Sequence, residues 1–188
     1  MARQKSKEKR AAILNAATHI IVKQGLSAPT ATIAQEASIS NGSLFTYFET
    51  KTDLFNQLYL ELKSDMISSA MDDFPETGSL RQQVLQVWSN WVEWALSNPE
   101  KKRALEQLRI CDDITPETRA IADKKFAVMG DLIEKIRQAG PLKDAPFSFT
   151  GALMNSLADI TMDFMIKDPA NAKQHSKLGF ETFWRAVI

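Results

Sequence analysis

The segment from Thr32 to Lys51 constrains the fold of this chain more than any other part of its 188 residues. Its apolar residues predict a short helix, a three-residue turn around Ile39, and a second short helix that begins at Asn41 with Ser40 as its N-cap. This layout is typical of a helix-turn-helix, whose second helix enters the major groove of DNA. The segment therefore predicts a DNA-binding unit.

The second helix of this segment is expected to have two chemically different faces. Leu44, Phe45 and Phe48 are spaced to face the interior. The opposite face offers small or hydrogen-bonding groups, and its candidates for contacts with base edges are Asn41, Gly42, Ser43 and Thr46. Further candidates, for the phosphates and the groove rim, are Thr30, Tyr47 and Lys51, with Arg3 and Lys5 from the N-terminus.

Charge is distributed unevenly along the chain, although the net charge is zero. Residues 1–51 hold seven Lys or Arg and three Glu, so 16 of the 23 bases and 20 of the 23 acids remain in residues 52–188. A basic head on an acidic body is expected of a DNA-binding protein whose body does not contact DNA.

Composition argues against several other classes of protein. A single cysteine, Cys111, excludes an internal disulfide framework and favours a reducing cytoplasm. No run of 18 apolar residues predicts a membrane span, and the charged N-terminus does not look like a signal peptide. His19 and His175 lie far apart and no glycine-rich phosphate loop is present. We therefore expect no metal, no cofactor and no enzymatic activity.

Apolar residues at helical spacing predict an all-α chain of about nine helices. The first covers about Ser6–Gln24 and stops at Gly25, and the fourth covers Lys51 to about Phe74, with Thr50 and Asp53 as its cap. The other helices after the helix-turn-helix are expected at about 80–97, 99–111, 116–139, 147–167 and 169–187. The fourth helix joins a DNA-binding domain, residues 1–50, to a larger helical domain, residues 51–188, without a flexible linker.

The helix-turn-helix segment resembles the TetR/AcrR family of bacterial transcriptional repressors. The residues that carry the resemblance are Ile33-Ala34, Ala37-Ser38-Ile39-Ser40, Gly42, Leu44-Phe45-Thr46-Tyr47-Phe48, Lys51 and Leu54. Two positions depart from the family pattern. Ser38 replaces the usual turn glycine, which costs about 1 kcal/mol if that residue is left-handed, and Phe45 replaces the commoner tyrosine. Near the C-terminus, Thr161–Phe164, Leu178–Phe180 and Trp184-Arg185 are similar to RamR-type multidrug-sensing repressors.

This resemblance implies a homodimer whose two recognition helices enter successive major grooves of a pseudo-palindromic, double-stranded operator. It also implies that residues 51–188 bind a ligand and form the dimer. The inducer is expected to be a hydrophobic or aromatic small molecule, and in one version of the hypothesis this molecule carries a positive charge. The residues expected to surround it are Tyr59, Trp88, Trp91, Phe126, Met129, Met154 and Met162.

The sequence leaves several structural alternatives open. Three indoles, Trp88, Trp91 and Trp94, either line a ligand cavity or belong to an ordinary core. Asp159 and Asp163 form either a solvated strip or a cation-recognition site. An apolar seam on the last helix, together with the small Gly151, forms either intrachain core or the dimer interface that the resemblance implies. That seam consists of Phe180, Phe183, Trp184 and Val187.

Two other functions remain possible at this point. A DNA-binding organiser or division regulator that takes no ligand would have the same head and a filled body. A helical enzyme or scaffold would show no salt-dependent binding to duplex DNA.

Overall fold

The computed structural model describes residues 2–125 and 127–188, and within these ranges the protein is all-α, as predicted. A 3-10 turn, Pro169–Asn171, precedes the last helix, and the described ranges contain no strand. The helices are α1 (Ala2–Gln24), α2 (Thr30–Glu36), α3 (Asn41–Leu44), α4 (Lys51–Ala70), α5 (Leu80–Ser97), α6 (Pro99–Arg109), α7 (Pro116–Lys125), α8 (Ala127–Ala139), α9 (Phe147–Lys167) and α10 (Ala172–Val187).

Most helix ends lie close to their predicted positions. The end of α1 is confirmed, because Gly25 adopts a left-handed φ of 79° and its N–H bonds to the Ile21 carbonyl at 2.8 Å. Helix α4 ends at Ala70 rather than near residue 74, since the turn that follows places Asp73 at a φ of 49°. The single helix predicted over 116–139 corresponds to α7 and α8, and residue 126 between them lies outside the described residues.

The first of two compact units comprises the chain up to residue 64 together with residues 98–122. Helix α1 packs against α2 and α6, and its apolar residues Ile13, Leu14, Ala17, Ile20 and Ile21 are buried. The Asn56 side chain of α4 donates to the Asp113 carbonyl at 2.7 Å and accepts from the Thr115 N–H at 2.9 Å. These bonds tie the segment between α6 and α7 to α4 within this unit.

The second compact unit comprises residues 65–97 and 123–188. Its core is built from α5, α8, α9 and α10, which pack against one another. Trp88 has no exposed surface and stacks on Phe183, with ring centroids 5.9 Å apart. Helices α9 and α10 approach so closely that a Cβ atom at Gly179 would lie 2.0 Å from Thr161 Oγ1, which requires glycine at that position.

These two packing units do not coincide with the predicted boundary between residues 50 and 51. Contacts group the first part of α4, α6 and the start of α7 with α1–α3. The functional division into a DNA-binding head and a ligand-binding body therefore stays a prediction. Over the ranges described, no helix combines the length and apolar character that crossing a bilayer needs.

Candidate nucleic-acid interface

The turn between α2 and α3 is closed by hydrogen bonds that return to α2. The N–H groups of Ser38 and Ile39 bond to the carbonyls of Gln35 and Ala34 at 3.0 and 2.9 Å. Ser38 has a φ of 56°, so this serine occupies the left-handed conformation that a turn glycine would adopt without strain. The chain therefore makes the expected turn, but in a conformation that is unfavourable for serine.

Helix α3 begins at Asn41 with Ser40 as its N-cap, as predicted. Ser40 Oγ accepts from the Ser43 N–H at 3.1 Å and lies 2.9 Å from Ser43 Oγ. After Leu44 the chain continues as a turn, in which the Phe48 N–H bonds to the Leu44 carbonyl at 3.1 Å. Leu44 and Phe48 are buried and anchor the helix in the first unit.

The prediction that Phe45 faces the interior is wrong, because its side chain is 42% exposed. Phe45 lies about 100° around the helix from Leu44. A helix of four residues buries only a narrow arc, and Leu44 with Phe48 fills that arc. Phe45 therefore lies on the solvent side, one turn after Asn41.

The solvent side of α3 presents groups suited to base edges. Asn41 is exposed and its side chain makes no hydrogen bond within the part of the chain that the structure describes, so its side-chain amide is available as both donor and acceptor. Thr46 is exposed and donates its hydroxyl hydrogen to the Ser43 carbonyl at 2.7 Å. Its oxygen lone pairs therefore remain available to accept from an amino group.

Gly42 leaves a gap between these polar side chains. A Cβ atom at this position would meet only Ser40 Oγ, at 4.0 Å, so the fold itself does not require glycine here. A glycine without a packing role on an exposed helix face permits close approach of a ligand to the backbone. Ser43 and Tyr47, beside this gap, are half-buried.

Lys51, the first residue of α4, lies against an aromatic ring of its own helix. Its Nζ lies 5.2 Å from the centroid of the buried Phe55 ring, which restricts the ammonium without neutralising it. The predicted cap of α4 is confirmed, since the Asp53 N–H donates to Thr50 Oγ1 at 2.9 Å. Asp53 also accepts from the Glu49 N–H at 3.0 Å, which fixes the approach to the helix.

Arg10 is a positioning residue. The sequence indicates only that it is one of the seven basic residues of the segment 1–51. Its guanidinium donates to Gln57 Oε1 at 2.9 Å, lies 3.7 Å from Glu61 Oε2, and stands 5.8 Å from the Phe48 ring centroid. It therefore links α1 and α4 to the residue that anchors α3. Pairs that are distant in sequence leave no periodic signal, so this role was not predictable.

The remaining predicted DNA contacts are less defined. Thr30 is half-buried at the start of α2, after Pro29 as N-cap. Arg3 and Lys5 belong to α1, but their side chains lie outside the described residues.

The candidate ligand residues fall in both units. Tyr59 is buried in the first unit, and Phe126 lies outside the described residues. The remaining five belong to the second unit, where Trp91 is half-buried and the others are buried: Trp88, Trp91, Met129, Met154 and Met162. Trp88 is packed as core, because its indole N–H donates to the Ser176 carbonyl at 3.3 Å while its ring contacts Phe180 and Phe183.

The predicted dimer seam needs a correction. Phe180, Phe183 and Val187 are at most 1% exposed within a single chain, so they offer no surface to a second copy. They form intrachain core, the alternative that the sequence left open. Gly151 and Trp184 are half-buried and keep some surface.

Two further features concern metal binding and thiol chemistry. The described residues contain no cluster of three or more His, Cys, Asp or Glu side chains that could hold a metal ion. The Cys111 thiol is buried.

Comparison with known proteins identifies the fold and its head. The family described as bacterial regulatory proteins, tetR family, matches residues 13–58, which contain α2, α3 and the start of α4. A crystal structure from Shewanella sp. PV-4, assigned to the tetR family of transcription regulators, is 26% identical and has a TM-score of 0.85. The similarity covers 95% of this chain and 97% of that one.

Two further comparisons cover less of the chain or are less similar to it. An uncharacterized HTH-type transcriptional regulator of Haemophilus influenzae is 27% identical over 96 residues, which is 50% of this chain. The chain thus spans about half the length of this curated relative, 51%. LfrR of Mycobacterium smegmatis, solved in complex with proflavine, is 17% identical with a TM-score of 0.61 over 96% of this chain and 97% of that one, and it shows the fold alone.

These similarities are to transcription regulators and not to enzymes. They agree with the helix-turn-helix geometry and with the all-α architecture described above. Residues 13–58 therefore match the tetR family of bacterial regulatory proteins, and the chain as a whole shares the fold of solved transcription regulators of that family.

Proposed function

We propose that this chain is a cytoplasmic, ligand-responsive repressor that binds operator DNA as a homodimer through α2 and α3. The observation that carries the proposal is the exposed polar face of α3. Asn41, Gly42 and Thr46 are exposed on this face while Ser40 caps the helix and Leu44 anchors it. A capped helix that presents exposed groups able to donate and accept hydrogen bonds is suited to the edges of base pairs.

In this proposal the contacts divide by chemistry. Asn41 forms paired hydrogen bonds with an adenine, and Thr46 accepts from a base amino group. Gly42 lets the α3 backbone approach the groove. Lys51 and Tyr47 contact phosphates, which set affinity and register rather than sequence preference.

The homodimer is proposed to form through exposed apolar residues of α9 and α10, not through the buried seam. Ile160, Phe164 and Leu178 are 56%, 54% and 64% exposed, an unusual density for two adjacent helices of a protein surface. A twofold pairing of these helices would supply two copies of α3 for half-sites about one DNA turn, roughly 34 Å, apart.

The ligand-responsive part of the proposal rests on the second unit, whose core contains Met129, Met154 and Met162. Methionine side chains repack at little cost, so such a core can adapt to a guest. A ligand that favours a conformation with wrongly spaced α3 helices lowers operator affinity by its differential binding to the two states. Helix α4 runs continuously from Lys51 to Ala70 and contributes residues to both units, which provides a covalent route for this coupling.

The test is a mobility-shift titration of the full chain on the DNA that flanks its own gene, with and without a panel of hydrophobic compounds. We expect a shift that a scrambled duplex of equal length does not show, and its reversal by at least one compound. Gly42→Ala should weaken operator binding about tenfold, the equivalent of one lost base contact. The free energy of unfolding of this variant should not fall, because the added methyl points into open space.

Different failures have different meanings. Equal affinity for the operator and the scrambled duplex would contradict sequence-specific binding. A specific shift that no compound reverses would favour the regulator that takes no ligand. An unchanged operator affinity of Gly42→Ala would exclude close approach of the α3 backbone.

A further inference from the structure

Thr150, on the first turn of α9, carries a buried hydroxyl that has no hydrogen-bond partner. The residue has no exposed surface, and its Oγ1 is the buried side-chain oxygen or nitrogen that stands without a partner in the part of the chain described. Buried hydroxyls are nearly always paired, so an orphaned one needs an explanation.

Other buried threonines show the usual solution within a helix. Thr18 and Thr161 donate to the carbonyls four residues earlier, those of Leu14 and Leu157, at 2.9 and 2.7 Å. For Thr150 the corresponding acceptor is the Pro146 carbonyl, which accepts the Phe149 N–H at 2.9 Å but receives no bond from the Thr150 hydroxyl. The hydroxyl of Thr150 therefore lacks the bond that its counterparts make.

The surroundings of Thr150 are apolar and adaptable. The buried face of α9 continues from Thr150 through Met154, Ala158 and Met162. Helix α8 lies against the first turns of α9. A Cβ atom added to Gly130 of α8 would lie 3.8 Å from the Phe147 ring, and one added to Gly151 of α9 would lie 3.8 Å from the Ile133 side chain. Met129, beside Gly130, is also buried. Flexible methionines on the same buried helix face as this hydroxyl can repack to admit a molecule that gives the hydroxyl a partner.

The charge of the buried side chains in the second unit also bears on which kind of molecule could bind there. The buried polar side chains of the second unit, over its described residues, are Gln83, Thr150 and Thr161, and none of them ionises. Gln83 donates to the carbonyls of Pro75 and Glu76 at 3.0 and 3.1 Å. An ionic guest would lose its hydration without meeting a buried counter-charge.

We propose that Thr150 is a ligand-binding residue, and that the second unit takes up a neutral, mainly apolar molecule whose hydrogen-bonding group meets the Thr150 hydroxyl. The inference deepens the proposed function and rests on it. It replaces the cationic version of the inducer hypothesis by a neutral one and adds a residue that sequence patterns did not select.

The experiment compares three flat probes on the full-length protein: 9-fluorenone, which is neutral with one carbonyl, fluorene, which lacks the carbonyl, and proflavine, which is cationic. Dissociation constants come from equilibrium dialysis of the wild type, Thr150→Val and Thr150→Ser. The valine variant keeps the shape but removes the hydroxyl, whereas serine retains the hydroxyl and serves as the matched control.

We expect the wild type and Thr150→Ser to bind fluorenone about tenfold more tightly than fluorene, and Thr150→Val to bind the two equally. Proflavine should bind more weakly than fluorenone. The unfolding midpoint of ligand-free Thr150→Val should stay the same or rise by about 2–4 °C, because an unpaired buried hydroxyl is removed.

Several results would overturn the inference. These are a fluorenone preference that persists in Thr150→Val, tighter binding of proflavine than of fluorenone, or no binding of either neutral probe. A lowered midpoint in ligand-free Thr150→Val would show that the hydroxyl already has a partner inside the protein. If proflavine alone releases the operator, the ligand-responsive function stands while the role of Thr150 fails. Absence of any specific operator shift would instead remove the proposed function itself.

Discussion

Two serines at either end of a three-residue turn contribute to stability with opposite sign. Ser38 has a φ of 56°, which an L-residue adopts at a cost, whereas Ser40 caps α3 by accepting from the Ser43 N–H at 3.1 Å. One strained residue is tolerable because neighbouring hydrogen bonds and the buried Leu44 hold the turn in place. At the scale of single residues, conformation and capping thus decide how firmly the recognition helix is held.

We therefore expect Ser38→Gly to raise the free energy of unfolding by about 1 kcal/mol, since glycine accepts the left-handed conformation without strain. Ser40→Ala should lower it by about 1 kcal/mol, because the cap of α3 is lost. Urea unfolding followed by circular dichroism measures both variants on the same scale. Destabilisation by Ser38→Gly would mean that backbone freedom in the unfolded chain outweighs the relief of strain.

At the scale of elements, ion pairs connect helix ends to the loops that follow. Near the end of α8, Arg137 donates to both Glu134 carboxylate oxygens at 2.8 and 2.6 Å and to the Ala145 carbonyl at 3.1 Å. The Arg137 hydrogen bonds, with a further one from Gln138, lower the pKa of Glu134 from 4.5 to about 2. This pair therefore holds the loop that leads into α9.

The lowered pKa of Glu134 predicts a pH dependence of definite sign. Its contribution to stability is present above the ordinary pKa of 4.5 and is lost as the pH falls towards about 2. Glu134→Gln should be less stable than wild type at pH 7, and the difference should vanish near pH 2. Urea unfolding of both proteins across this range measures it, and a difference that is independent of pH would contradict the assignment.

Subtracting the stability of Glu134→Gln from that of wild type at each pH removes the contributions of other groups that titrate in the same range. Asp168 is one of them, because the hydrogen bond from His175 lowers the pKa of this carboxyl. Asp168→Asn, at the junction of α9 and the 3-10 turn, therefore provides a matched variant of a second helix-end pair.

At the scale of the whole molecule, the proposed dimer face is tested by a single charge. Leu178→Asp places a carboxylate among the exposed apolar residues of α9 and α10, where the proposed pairing would bury it. We expect monomers in multi-angle light scattering, together with weaker operator binding. Ile110→Asp is the control, since Ile110 is 78% exposed but lies in the first unit. Leu178→Asp that remains a dimer would place the interface elsewhere.

Much of the secondary structure followed from local signals in the sequence. Left-handed Gly25, the Ser40 cap and the Thr50–Asp53 pair each depend on residues at most four positions apart. The ends of α5 and α9 lie where the apolar pattern and the prolines put them. Such features are predictable because backbone sterics and capping bonds act over one helical turn.

The periodicity of apolar residues predicted less well whether a side chain next to the buried side of α3 is itself buried. It placed Phe45 with Leu44 and Phe48, although α3 is too short to bury all three. The unpaired hydroxyl of Thr150 also gave no signal, since the sequence does not show whether a buried hydroxyl reaches an acceptor in the folded chain.

What the sequence by itself determined is the all-α class, the helix-turn-helix and the chemistry of its exposed face, because these arise from neighbours along the chain. Only the tertiary structure decided that Phe180, Phe183 and Val187 belong to the core of one chain. A helical stripe records that a face is buried but not which partner buries it. In this protein the partner of Phe183 is Trp88, 95 positions away on another helix, and only folding brings the two rings together.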